Sequence, residues 1–244
     1  LREGCQQRLH RAIGEGLALV QDAGIALSAE IAAHFLKAGE EALALPYLEQ
    51  AGRQAYDAYA YADAVMHLSR AVAIIRELGE LARPESSPEV IRLYLTAAKN
   101  TGDSLLLLEE AERELADVSY DPEMVAALHV FAAIGSVARD KQDAAEDHLP
   151  EASRIAEETG NPHAMLKVLF PQINLRWRQS RKEEAAQLVD RATQILRGLS
   201  TPYHDALARY LAGSTHLTTE RFADAEPELE AALGAFIALG QRRY

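Results

Sequence analysis

An alanine, a large aliphatic residue four positions later and a second alanine three beyond that recur along this chain. They appear as Ala44, Leu48, Ala51; Ala64, Leu68, Ala71; Ala145, Leu149, Ala152; Ala185, Val189, Ala192; and Ala225, Leu229, Ala232. Spacings of four and three put all three side chains on one face of an α-helix. Small residues there let a second helix approach closely, and the larger one is expected to fill the gap between neighbouring helical hairpins. Any amphipathic helix can carry one such triplet. Its return at 145, 185 and 225, in steps of 40, marks an internal repeat.

The fold class that follows is all-α: a right-handed α-solenoid of tetratricopeptide-like helical hairpins with long repeats of about 40 residues, against ~34 for the standard unit. Each hairpin is therefore expected to have helices roughly one turn longer than usual. Composition agrees, because Ala, Leu, Glu and Arg dominate, aromatics are only 6%, and β-branched runs that build strands are nearly absent. At 244 residues and 48% hydrophobic, the chain is long enough for a substantial core, whether compact or stacked.

Glycine and proline punctuate the same register at Gly39, Gly79, Pro84, Pro88, Gly102, Pro122, Gly160, Pro162, Gly198, Pro202 and Gly240. The spacing predicts helices at roughly 3–22, 28–38, 41–57, 61–78, 88–100, 103–117, 122–139, 142–159, 162–178, 182–198, 203–219 and 222–239. Asp121-Pro122 and Asn161-Pro162 read as N-caps followed by proline in the first turn. The run Leu105 to Leu108 lies where a triplet is due and does not spell one, so the repeat near 88–117 is degenerate.

Lys and Arg number 25 against 37 Asp and Glu, a formal charge of −12 that argues against nucleic acid as the main partner. The single cysteine, Cys5, has no partner for an internal disulfide, which fits a reducing compartment. No stretch reaches the ~18 apolar residues of a membrane span. A cytoplasmic location without membrane contact is expected. Leu1 opens in mid-helix pattern, as in a segment of a larger protein.

The segment Leu9-His10-Arg11-Ala12-Ile13-Gly14-Glu15, then Ala29 to Gly39 (AEIAAHFLKAG) and Tyr47 to Gly52 (YLEQAG), resembles the start of the helical-repeat region in large bacterial signalling ATPases. These include LuxR-type regulators similar to the maltose-regulon activator and class III adenylate cyclases with an ATPase module. The specific part of the likeness covers about residues 1–78. It implies that residues 1–24 end a preceding winged-helix segment or form a capping helix, and that 25–244 are the tetratricopeptide-like repeat domain. It also implies an ATPase domain upstream in the same polypeptide and a role as a sensor or scaffold arm. None of that family's nucleotide-binding motifs lies in this chain.

Catalytic patterns are missing as well. There is no phosphate-binding Gly-rich loop, no dinucleotide fingerprint and no Gly-x-Ser-x-Gly elbow, and no cofactor is implied. The eight histidines are scattered, and none forms an i, i+4 pair with a carboxylate for zinc. The acidic run Glu109, Glu110, Glu112, Glu114 reads as a solvated helix face rather than paired catalytic carboxylates.

What remains is a stripe of Lys167, Phe170, Asn174 and Trp177, with Arg178 beside it, at spacings that share one helix face. The repeat register places it on the inner, concave wall. Tyr210 and Ser214 occupy matching positions one repeat later, and Tyr94 roughly matches in the degenerate repeat. Arg176, Arg178, Arg181 and Lys182 are expected to make this region basic. The candidate occupant is a peptide, a partner protein domain or a small inducer. Inter-hairpin packing is the competing explanation for Phe170 and Trp177. Self-association without a ligand pocket is the alternative function, and a hidden enzyme the remote one.

Overall fold

The computed structural model describes residues 2–22, 27–78, 84–116 and 120–240. All regular structure among them is helical: α1 (Arg2–Asp22), α2 (Ser28–Ala38), α3 (Glu41–Asp57), α4 (Tyr61–Glu77), α5 (Ser87–Thr101), α6 (Ser104–Leu115), α7 (Pro122–Ala138), α8 (Gln142–Thr159), α9 (Pro162–Arg178), α10 (Lys182–Gly198), α11 (Pro202–Thr218) and α12 (Phe222–Ala238). Most ends fall within a residue of those expected. The break at Gly79, the boundary at 24/25 and the end of the sixth helix at 117 lie outside the described residues.

The helices group into two compact units, residues 1–110 and 111–244. In the first, α1 packs on α2, α2 on α3, α3 on α4, and α4 on α5. In the second, α7 and α8, α9 and α10, and α11 and α12 form hairpins, with α9 also against α7 and α8, and α10 against α11.

Local chemistry explains why the second unit is so regular. The first helix of each hairpin starts at a capped proline: Asp121 accepts from the Met124 N–H, Asn161 from His163 and Ala164, and Thr201 from His204. Pro122, Pro162 and Pro202 follow directly, 40 residues apart, where a missing N–H costs nothing. Each helix pair is then joined by a turn whose middle residue is left-handed: Asp140 (φ 60°), Ser180 (φ 59°) and Glu220 (φ 61°), again 40 apart.

The N–H of each of these residues donates to the carbonyl three back, and the next N–H to the carbonyl five before it, as in Ser180 to Trp177 and Arg181 to Arg176. This is the Schellman closure, which satisfies carbonyls a helix end would otherwise leave unpaired. Tyr59 (φ 62°) closes α3 in the same way. Gly198 is the last residue of α10, as the expected range 182–198 has it, and the left-handed residue beyond it is Ser200 (φ 51°).

All five triplets face inward: every alanine in them is buried, as are Leu48, Leu68, Leu149 and Val189, while Leu229 is half-buried. The large residue also does a job beyond the one expected. A Cβ added at Gly52 on α3 would sit 2.5 Å from Leu68 Cγ on α4, and one at Gly213 on α11 would sit 2.6 Å from Leu229 Cγ on α12. In these two hairpins the triplet's centre packs over a glycine of its own partner helix, whereas Leu149 of α8 shares a core cluster with Leu175 of α9 in the next hairpin. In the first unit the triplets fall on consecutive helices, 44 to 64 being a step of 20, so the 40-residue period belongs to the second unit.

Candidate functional site

A groove runs between α7 and α9, the first helices of adjacent hairpins. Its first section, about 20 Å³, is lined by Glu123, Ala126, Ala127 and Val130 of α7 and by Ala164, Lys167 and Val168 of α9. The next, about 100 Å³, is lined by Ile134, Val137 and Ala138 of α7 and by Pro171, Asn174 and Arg178 of α9. The floor is aliphatic because those α7 positions, spaced by three and four, form the apolar face that α9 only partly covers.

Lys167, Asn174 and Arg178 stand exposed along the α9 rim. None of the three takes part in an ion pair or side-chain hydrogen bond among the described residues. Pro171 sits between them in mid-helix. Having no N–H, it leaves the Lys167 carbonyl without its intrahelical donor.

The stripe expected on α9 is thus two surfaces. Lys167, Asn174 and Arg178 belong to the groove, whereas Phe170 and Trp177 are half-buried and pack against the hydrophobic core running from Val130 through α9 and α10 to Phe236. The indole N–H of Trp177 is buried with no acceptor, a cost carried by the packing of its ring. Tyr210, 39% exposed, and half-buried Ser214 lie on α11, away from the groove lining. Tyr94 departs furthest from expectation: it is 3% exposed, in the core of the first unit, because its slot on α5 faces the packing side.

The expected basic patch is largely neutralised. Arg176 pairs with Glu146 at 2.5 Å and Glu184 at 3.2 Å, Arg181 with Glu146 at 3.2 Å and Glu184 at 2.6 Å, and Lys182 with Glu220 at 3.8 Å. Burial tends to raise the Glu146 pKa, but hydrogen bonds from Gln179 and Arg176 and the charges of Arg176 and Arg181 outweigh it and hold the carboxyl below its ordinary value. Arg178 alone of the four basic residues keeps its charge for the groove.

The acidic run on α6 is not wholly solvated either. Glu110 is buried and pairs with Arg76 at 2.7 Å, and Glu114, 2% exposed, accepts a hydrogen bond from the Tyr120 hydroxyl. Nor are the histidines scattered in space. His10 meets His34 with Nδ1 atoms 3.0 Å apart, His129 meets His148 at 3.1 Å, and the rings of His163 and His204 lie 5.7 Å apart. No cluster of three or more metal-binding side chains occurs among the described residues.

Of the groove lining, only Lys167, Asn174 and Arg178 were anticipated; every α7 residue, together with Ala164, Val168 and Pro171 of α9, was missed. The register held a signal for three of them, since Ala127, Ile134 and Ala138 lie 40 residues before Lys167, Asn174 and Arg178.

No described helix is long and apolar enough to cross a membrane. No protein family matches the chain, and no curated protein does. Solved structures share its fold, among them two helical-repeat proteins. One is a variant of a putative kinesin light chain with nearly identical TPR-like repeats from Podospora anserina, at TM-score 0.61 and 14% identity over 81% of this chain and 96% of that one. The other is BtubC (BKLC) from P. vanneervenii, at TM-score 0.59 and 15% identity over 100% of this chain and 93% of that one. At such identities the likeness speaks for the architecture, and the chain is an all-helical, tetratricopeptide-like repeat solenoid.

Proposed function

We propose that this chain is a protein-binding repeat module that holds an extended segment of a partner in the α7–α9 groove. The observation that carries the reading is the combination of an aliphatic floor with three unengaged polar side chains, Lys167, Asn174 and Arg178, along one rim. An extended segment suits it because Asn174 offers both a donor and an acceptor to a peptide group, and the Lys167 carbonyl offers another acceptor. The two cations favour a segment bearing a carboxylate, which the acidic remainder of the chain, at −12 overall, repels elsewhere. Phe170, Trp177 and Tyr94 act here as packing rather than contact residues, and Tyr210 and Ser214 lie on α11 outside the groove lining.

In the wider reading the module is the sensor or scaffold arm of a multidomain bacterial signalling regulator. Residues 1–24 then finish a preceding winged-helix segment, an ATPase domain lies upstream, and a partner domain or small inducer is the alternative occupant of the groove. Support for this context is the resemblance carried by Leu9–Gly52. The binding assignment is tested by placing a photo-crosslinking amino acid at position 174 and, as a control, at Glu183 on α10. The reading requires a discrete adduct from 174 alone, and equal adducts from both positions would remove the groove as the site.

A further inference from the structure

We propose that His129 of α7 and His148 of α8 chelate a divalent transition-metal ion of the zinc type, with water in the remaining coordination positions. Their Nδ1 atoms lie 3.1 Å apart across the hairpin, the rings tilted by 51°. Zn–N bonds of about 2.05 Å at a tetrahedral angle set two ligand nitrogens about 3.3 Å apart, so an ion fits between these two with a shift of about 0.2 Å. A proton fits the same gap, but then one ring donates and only the other accepts. Imidazole nitrogens suit zinc, nickel and copper, and a metal ion uses both lone pairs at once.

The chain's own repeats show that this pair is not required by the fold. The same two slots hold Leu169 and Leu188 in the next hairpin and Arg209 and Glu228 in the one after, each pair 19 residues apart. Leu169 belongs to the core cluster that Leu188 packs against, and the Arg209 guanidinium donates to Glu228 at 3.1 Å. The hairpin thus closes this position with an apolar pair or an ion pair. Two half-buried histidines supply neither, and what they bring instead is a pair of converging ring nitrogens.

The surrounding charges favour a cation. A carboxylate oxygen of Glu112 on α6 stands 3.9 Å from His148 Nε2, the ring nitrogen away from the pair. There it favours the tautomer with its proton on Nε2, which leaves the Nδ1 lone pair for a metal. Glu151, one turn along α8 from His148, acts on His129 with its negative charge while Arg154 holds its carboxylate in place. The first unit offers a comparison within the same chain. His10 and His34 also face each other through Nδ1, at 3.0 Å, but there the positive charge of Lys37 acts on His34 more strongly than the negative charge of Glu30. The proposal is therefore confined to His129 and His148.

Calorimetric titration of the full chain with Zn2+ at about pH 7.5, where both rings are neutral, tests this. The wild type is expected to show a tight Zn2+-binding event that Mg2+, which prefers oxygen ligands, does not reproduce. His129→Leu with His148→Leu, the residues of the next hairpin, is expected to abolish that event while the urea transition followed by Trp177 fluorescence stays cooperative. His148→Leu alone is expected to bind no better than the double variant, because one imidazole makes no chelate. Glu112→Gln, an exposed change, is expected to weaken Zn2+ binding roughly tenfold, and His34→Leu to leave it as in the wild type. A wild-type chain that takes up no Zn2+, a double variant that retains the event, equal uptake of Mg2+, or its loss in His34→Leu overturns the proposal.

Discussion

Two glycine-to-alanine changes in the same hairpin should shift stability in opposite directions. Gly213 on α11 and Gly234 on α12 both lie inside helices, so each substitution gains about 1 kcal/mol of helix propensity. At Gly234 nothing lies within 4 Å of the added methyl, and the gain stands. At Gly213 the methyl meets Leu229 Cγ at 2.6 Å, Leu229 Cδ2 at 2.9 Å and the Ala225 carbonyl oxygen at 3.2 Å. Leu229 is half-buried and can turn partly aside, but the Ala225 backbone cannot.

Overpacking of this kind costs about 2 kcal/mol, which leaves Gly213→Ala destabilised by about 1 kcal/mol. The two variants should differ by about 2 kcal/mol, or roughly 6 °C in Tm. Trp177, the only tryptophan, lies in the same compact unit, so its fluorescence during urea unfolding reads that unit alone. Equal stabilisation by both changes would refute the claim that the triplets mark close helix approach.

Three further outcomes follow from the turns, caps and histidines. Glu220→Gly relieves a left-handed glutamate and should raise the stability of the second unit by about 1 kcal/mol in thermal melts. Asn161→Ala removes the acceptor for two N–H groups at the start of α9 and should cost about 1 kcal/mol in the same measurement. Burial, together with His148, lowers the His129 pKa below 6.5 against a smaller opposing effect of Glu151, so the unfolded chain binds the extra proton first as pH falls. Stability is full above that value and drops as the solution is acidified through it. Urea titrations should show this slope flattened in His129→Leu with His148→Leu, the pair found one repeat later as Leu169 and Leu188.

The helices were legible because their ends are written locally. Pro122, Pro162 and Pro202 start helices wherever they stand, and the 40-residue step carries one boundary to the next. What the sequence hid depends on contacts between distant residues. Arg176 looks like a free cation until Glu146, 30 residues earlier, is placed beside it. His129 and His148 lie 19 apart on separate helices, and His10 and His34 lie 24 apart. The α9 stripe divides for a geometric reason: positions 167, 174 and 178 turn toward α7, whereas 170 and 177 turn just far enough to reach the core. Tyr94 belongs to a repeat whose register is broken, and transfers between repeats hold only where the 40-residue step does.

The claim that the α7–α9 groove binds a partner segment is tested most directly by charge reversal at Arg178. A segment identified by crosslinking at position 174 would be titrated calorimetrically into the wild-type chain, into Arg178→Glu, and into Arg191→Glu on α10 as a charge-matched control. The groove account predicts at least a tenfold weaker Kd for Arg178→Glu, about 1.4 kcal/mol, with Arg191→Glu near wild type. Equal weakening by the two reversals, or none, would contradict it.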